Sequence, residues 1–355
     1  MCYKCIIVNS KQEQELFLSL PKKLYNKKYL LQDLDTEIKI LNKKHILSKN
    51  FEIYPYIVLD KNDNVVARCI LTYYPNDTSA YLGYFECIND INAFKCLYAQ
   101  IEDKVKKDSK NNIIGPIDCS FWIKYRFKAN HFNHIYTGEP YNLSYYISFW
   151  KEVGFKITDN YCSNQLRVPN NNDNNDKYQK RLDNFIKNGG TIRNTSKKSF
   201  NKDLLDIYNL LIKLYSKFPG FKYITKDEFI KMFSNLKLVL DFNMVKLAFK
   251  DNKLVGFFIS IPNYNHLTSN INLINIIKIF QIKKKTSEYV MLYMGVDENN
   301  LGLGSALVEI IKNELKNKNS TSIGALIHSG KVSNFYYKNL VIDKYEYVLM
   351  KKTFN

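Results

Sequence analysis

Arginine is nearly missing from this chain: it occurs only at Arg68, Arg126, Arg167, Arg181 and Arg193, and every other cation is lysine or histidine. The formal charge is nonetheless +18, which invites a nucleic-acid reading because clustered cations gain affinity by releasing counterions. Base readers and phosphate clamps favour the planar, bidentate guanidinium, and here the lysines are spread along the chain. Specific nucleic-acid binding is therefore not expected, whereas weak attraction to small anionic ligands is.

Cysteine is absent after position 162. The seven cysteines, at 2, 5, 69, 87, 96, 119 and 162, are odd in number and do not read as a disulfide framework. Cys2 and Cys5 make a C-x-x-C with no second pair for zinc, and it falls inside an expected strand rather than at a helix N-terminus, where a thiol would be activated. They read as two small strand residues, and no metal is expected. No run is long and apolar enough to span a bilayer, and the first residues are too short an apolar stretch for a signal peptide. A cytoplasmic protein is the default expectation.

With 45% apolar and 14% aromatic residues, a chain of 355 residues can fill two cores. Strand-like segments at 1–8, 54–59, 65–73, 81–87 and 112–117 alternate with helical ones at 12–25, 31–41, 91–105 and 145–153, and a further strand opens at Phe155. The run NNNDNND at 170–176 and Gly189-Gly190 mark 169–190 as a linker between units 1–168 and 191–355. After it the order repeats: a strand at 191–194, helices at 203–217 and 227–236, a hairpin at 244–261 turning about Asp251-Asn252, then 289–296, a helix from Leu303, and segments at 321–327, 332–340 and 344–351. The expected class is α/β of the α+β kind, two units in tandem, each a mixed, mostly antiparallel sheet flanked by helices.

One stretch proposes chemistry. The strand 289–296 runs into Asp297 to Gly304, and Leu307, Ile310, Ile311 and Leu315 then recur at helical spacing. Gly302 and Gly304 leave the following N–H groups unshielded, and a helix N-terminus offers orphan donors and a positive dipole end. Such a turn cradles an anion. No Walker lysine and no G-x-G-x-x-G accompanies it. In the first half the matching position, Cys87 to Asn92, has no glycine and carries Asp90.

The turn resembles the acyl-CoA loop of the GNAT N-acetyltransferases, Gln/Arg-x-x-Gly-x-Gly/Ala, read here as Asn299, Asn300, Leu301, Gly302, Leu303, Gly304. Short stretches across both halves, among them Gly115-Pro116-Ile117-Asp118, Glu139-Pro140-Tyr141-Asn142, Pro219-Gly220-Phe221 and Val255-Gly256-Phe257, are similar to an uncharacterised bacterial branch of two-domain GNAT-like proteins. The resemblance implies acetyl-CoA or another acyl-CoA as co-substrate, held by Met294, Val296, Asn299, Asn300, Leu301, Gly302, Leu303, Gly304 and Ser305. It also implies a backbone N–H near Val296 for the thioester oxygen. The family's last helix, Asn-x-x-Ala-x-x-Phe/Leu-Tyr-x-x-Leu-Gly-Phe, laid on this sequence puts Gly330 at its asparagine and Tyr337 at its general acid.

The implied reaction is N-acylation of a small-molecule amine by direct attack on the thioester, with Glu288, His266 and His328 as candidate bases. Asn299 and Gly330, which replace family residues, motivate an alternative: a catalytically silent acyl-CoA-binding sensor or scaffold. A third reading is an aminoacyl-tRNA-dependent transferase, which the scarcity of arginine disfavours. The first half lacks the glycine turn and is expected to shape the substrate cleft. The segment 270–285, with Ile271, Ile274, Ile277 and Ile282 ahead of three lysines, can cap a pocket, form a subunit contact in a homo-oligomer or lie on a membrane surface.

Overall fold

The computed structural model describes residues 3–269 and 273–354; Cys2, and with it the C-x-x-C, and Asn270, Ile271 and Asn272 lie outside them. The first half runs β1 (Lys4–Ile7), α1 (Lys11–Leu24), α2 (Leu34–Leu41), β2 (Glu52–Leu59), β3 (Val65–Tyr73), β4 (Ser79–Cys87), α3 (Ile91–Lys107), β5 (Asn112–Gly115), β6 (Phe127–Lys128), α4 (Tyr146–Glu152) and β7 (Lys156–Leu166). The remainder runs α5 (Asp176–Lys187), β8 (Thr191–Asn194), α6 (Phe200–Tyr215), α7 (Lys226–Phe233), β9 (Val245–Lys250), β10 (Lys253–Pro262), α8 (Leu273–Lys285), β11 (Glu288–Val296), α9 (Leu303–Asn317), β12 (Thr321–His328) and β13 (Val341–Thr353). Helix starts follow local chemistry: Ser10 and Thr225 each form a capping box, with Glu13 and Glu228 respectively.

The strands form one sheet in the order β1-β2-β3-β4-β5-β13-β7-β12-β11-β10-β9-β8, with β6 pairing β13. That order mirrors about the β13/β7 pair: β1 to β5 correspond to β8 to β12, and each half's last strand lies in the other half's sheet. Among the described residues only β4/β5 and β11/β12 pair in parallel. Side-chain alternation sends Ile57 and Ile70 to one face and Val58 and Leu71 to the other. One core lies under α1, α2, α6 and α7 of both halves; the opposite face packs on α3 and α4 in the first half and on α9 in the second.

The stretch expected as a linker carries α5. Asn175 caps it, and Leu182 and Phe185 pack beside the α9 core. The segment 332–340, matched above to the family's last helix, is instead two 3₁₀ turns, Val332–Phe335 and Lys338–Leu340, with Tyr337 at φ +46° between them. A bulky residue in the left-handed region cannot continue a helix. Helix α8 rests Ile279 and Ile282 against Tyr264 and Leu267 and exposes Ile274, Ile277 and Phe280. Among the described residues no helix is long and apolar enough to cross a membrane.

The centre of the sheet is polar. Lys128 Nζ donates to Glu139 Oε1 at 2.6 Å with both side chains fully buried, and also to the His134 carbonyl at 2.7 Å. Tyr347 of β13 donates to Glu139 at 2.5 Å, while Tyr136 joins Tyr347 at 3.0 Å and Ser163 of β7 at 2.7 Å. Burial pushes the Glu139 carboxyl up and the Lys128 ammonium down, each opposed by its partner. Removing one member strands the other, so Lys128→Met should lower unfolding free energy by about 3–5 kcal/mol, with part of it restored by adding Glu139→Gln, which removes the charge and keeps an acceptor for Tyr347. Urea titrations of the single and double variants test this; equal loss in both would show that the pair does not act as a unit.

Candidate active site at the splayed end of the second half

Strands β11 and β12 pair from Glu288 opposite Thr321 to Met291 opposite Gly324, and then part. Beyond that point β11 stays with β10 up to Val296, while β12 leans on β7 through Ile327 and His328 after a register shift, with Leu326 at φ +56°. Two parallel strands that diverge at their carboxyl ends leave a slot edged by backbone donors and acceptors. Helix α9 starts at the same end.

Gly302 caps α9 at φ +91°, a conformation that other residues enter at a cost. The turn is braced by Asn299 N–H to Asp297 Oδ1 at 3.0 Å and by Lys213 to Asp297 at 2.9 Å, and this lysine holds the Asp297 carboxyl below its ordinary range. Gly304 and Ser305 are buried, whereas Asn299 is exposed and Leu301 is 95% exposed. The amides of the first helical turn have no intrahelical acceptor, so an anion at this turn would meet backbone donors rather than the exposed Asn299 side chain.

Sequence reasoning missed Arg181. It comes from α5, lies with its Cδ 3.1 Å from where a Cβ on Gly302 would stand, and donates from Nη1 to Ser305 Oγ at 2.8 Å. Ser305 in turn donates to the Gly302 carbonyl at 2.7 Å. One of five arginines in the chain thus sits on the glycine turn. The sequence signal for its helix is Tyr178, Leu182 and Phe185 at i, i+4 and i+7.

Tyr337, the tyrosine chosen by motif, is 7% exposed and packs among Leu166, Leu340 and Tyr178, with Lys312 5.4 Å from its ring centre. Its neighbour Tyr336 reaches the turn: the hydroxyl is 2.9 Å from a Cβ position on Gly304, and Val296 Cγ2 is 3.7 Å from the same point. Burial raises the Tyr336 phenol above its ordinary value.

The candidate bases separate by position. Glu288 opens β11, eight residues from Val296 and so about 26 Å away at ~3.3 Å per residue; it is held by Asn263 Nδ2 at 2.5 Å. His266 follows Pro262, which pairs with Tyr289 at that same far end. Helix α8 enters β11 there too, so it does not cap the slot. His328 ends β12 at the splayed end, but both ring nitrogens are engaged: Nδ1 accepts from Gly330 N–H at 3.2 Å and Nε2 meets Asp159 Oδ1 at 3.1 Å.

Beside the slot, Tyr293 of β11 has its phenol raised by burial and by Tyr125, with Arg126 opposing. Arg126 stacks between the rings of Tyr125 and Tyr161, 3.8 and 4.2 Å from their centres. Phe121 packs against Tyr215 and Phe218. The first half's loop thus brings aromatic rings and one guanidinium to the second half's strands. In the first half the corresponding helix start is closed by Asp90, which accepts from Asn92 N–H at 2.8 Å and from Tyr3 at 2.6 Å; a carboxylate stands where an anion would bind.

No protein-family model matches this sequence, and no curated protein does. Solved structures do. A tandem GNAT protein from the clavulanic acid biosynthesis pathway aligns over 99% of this chain and 98% of its own at 9% identity and a TM-score of 0.51. A conserved protein from Enterococcus faecalis V583, described as a probable N-acyltransferase, aligns over 99% and 73% at 10% identity and 0.52. A GCN5-related N-acetyltransferase from Anabaena variabilis aligns over 100% and 73% at 10% identity and 0.50. The chain therefore has the tandem GNAT-like fold, as the glycine turn and the repeated order of elements lead one to expect.

Valine at Gly302 would force a side chain into φ +91° and against Arg181, so Gly302→Val should cost about 1–3 kcal/mol. An unchanged urea midpoint would mean that the turn relaxes without strain.

Proposed function

We propose that this protein is an acyl-CoA-dependent N-acyltransferase, acetyl being the default acyl group, that modifies a small-molecule amine at the slot between β11 and β12. The observation that carries the reading is the convergence at one end of the sheet of the strand splay, the glycine turn at the start of α9, and Arg181. Arg181 and Tyr336 lie over Gly302 and Gly304, so the turn presents a cation and a hydroxyl to a pyrophosphate that displaces these side chains from the glycines.

In this reading the amides of Gly304 and Ser305 and the Arg181 guanidinium hold the pyrophosphate. The free edges of β11 and β12 take the pantetheine arm, and a backbone N–H near Val296 meets the carbonyl oxygen. Acyl-CoA supplies an activated acyl carbonyl. Tyr336, whose hydroxyl lies over Gly304, borders the pyrophosphate end, and the leaving thiolate takes up, by way of water, the proton that the attacking amine sheds. The amine enters past Tyr293 and Tyr215, where the first half contributes Tyr125 and Arg126. His328 with Asp159 is the basic group at that end, and it acts once the Gly330 contact is released or through a water.

The engagement of both His328 nitrogens favours one other reading, an acyl-CoA-binding protein without turnover. Calorimetric titration with acetyl-CoA, followed by thioester consumption across an amine panel, separates the two. Saturable binding is expected, abolished in Gly304→Asp and weakened about tenfold in Arg181→Met, the worth of one charge-assisted contact. Tyr336→Phe, which removes the hydroxyl over Gly304, should weaken acyl-CoA binding about threefold to tenfold, with Tyr337→Phe near wild type. Wild-type affinity in Gly304→Asp would remove the assigned site; binding with no turnover on any amine would support the silent reading.

A further inference from the structure

Helix α8 is apolar on two sides, and the fold accounts for one of them. Ile279 and Ile282 rest on Tyr264 and Leu267, whereas Ile274, Ile277 and Phe280 are each half or more exposed. These three recur every third residue, so at 3.6 residues per turn they fall within about 120° of one another, with Ile277 in the middle. Leu238, also more than half exposed, ends the neighbouring 3₁₀ turn Ser234–Leu238 and extends the patch. Lys283 ties the two together, donating to the Leu238 carbonyl at 3.3 Å. A helix with apolar residues all round calls for cover on every side, and the charge about this one says what the cover is.

That charge is of one sign. Lys278, Lys284 and Lys285 are exposed, and the helix holds no Asp or Glu from Leu273 to Lys285. Burial depresses the His266 imidazole, and Lys278, Lys27 and Lys28 depress it further, so exposed lysines from just past α1 share this corner with α8. Among the described residues none of these five lysines has a carboxylate within ion-pair distance. The carboxylates nearby are taken up by other groups: Asp241 meets Lys318 at 3.2 Å and Tyr289 at 2.8 Å, and Glu288 is held by Asn263. A second copy of the chain seated face to face would set the lysines against their own equivalents. A bilayer containing anionic lipid answers both features, since the isoleucines and phenylalanine enter the acyl boundary while the lysines reach the phosphates.

We propose that α8, with Leu238 beside it, docks this protein peripherally on a membrane surface that contains anionic phospholipid. The slot between β11 and β12 lies at the other end of β11, so docking leaves it open. The surface is separate from the glycine turn and does not depend on acyl-CoA.

The test is co-sedimentation of the full chain with vesicles of phosphatidylcholine alone and with vesicles holding phosphatidylserine at about 30% of the lipid. Binding to the mixed vesicles should be saturable, at least tenfold tighter than to phosphatidylcholine, and weaker as salt rises from about 0.1 to about 0.5 M. Ile277→Ser with Phe280→Ser should weaken it tenfold or more, with the circular dichroism and urea midpoint near wild type because both side chains are exposed. Lys284→Gln with Lys285→Gln should weaken it about tenfold. Lys180→Gln with Lys187→Gln removes the same charge from α5, which packs beside α9 on the opposite face of the sheet, and should leave binding near wild type. In Phe280→Trp the emission should move to shorter wavelength when mixed vesicles are added. No binding to mixed vesicles, equal affinity for the two compositions, wild-type binding by the serine variant, equal loss in the two lysine variants or an unmoved emission would each overturn the proposal. A dimer in sedimentation velocity that the serine variant dissolves, without vesicle binding, would overturn it too and assign the face to a second copy.

Discussion

Everything else in the structure depends on the pairing of β7 with β13. These two strands run antiparallel from Val341 opposite Leu166 to Lys351 opposite Lys156, and each belongs by connectivity to the opposite half. Neither half can complete its sheet alone. We propose 1–168 and 191–355 as units of the chain, each giving its last strand to the other. At this seam the sequence buries a charge pair, Lys128 with Glu139, which is often less stable than an apolar core of equal volume. Its hydrogen bonds reach both exchanged strands, through Tyr347 on β13 and through Tyr136 to Ser163 on β7. A misregistered pairing would leave these groups unsatisfied, so the network specifies the exchange as well as tolerating it.

The seam also explains why a first half with no glycine turn should matter to a site in the second. Tyr161 on β7 sits 5.0 Å ring to ring from His328 on β12, and the loop that carries Tyr125 and Arg126 stacks on Tyr161 from the other side. A rigid shared sheet holds these groups in place, whereas a docked pair of separate domains would let them drift. The segment between the halves contributes directly as well, since α5 lays Arg181 across Gly302.

Much of the fold was legible because local pattern and burial agree. The strand ending at Val296, the turn at Gly302 and the helix from Leu303 fall where hydrophobic period and glycine place them, and Thr191–Asn194 forms the strand read for it. Helix α5 was obscured by the polar run before it, although its apolar residues keep helical spacing. The exchange of β7 and β13 leaves no trace in either strand's own sequence, because pairing partners are chosen by tertiary packing. Of the candidate site, the sequence shows the glycine turn and not the side chains that reach it from afar. Arg181 lies 124 positions from the Ser305 it contacts, and the motif match at Tyr337 assumes a helix that the left-handed backbone of Tyr337 breaks.

The claim that the two halves form one sheet is tested most directly by native-state hydrogen exchange. If β13 is locked between β5 and β7, amides of 344–351 exchange only with the amides of β3, in one cooperative opening, despite lying at the end of the chain. If they exchange orders of magnitude sooner than β3, the exchanged strand is peripheral, and the coupling of the first half to the candidate site falls with it.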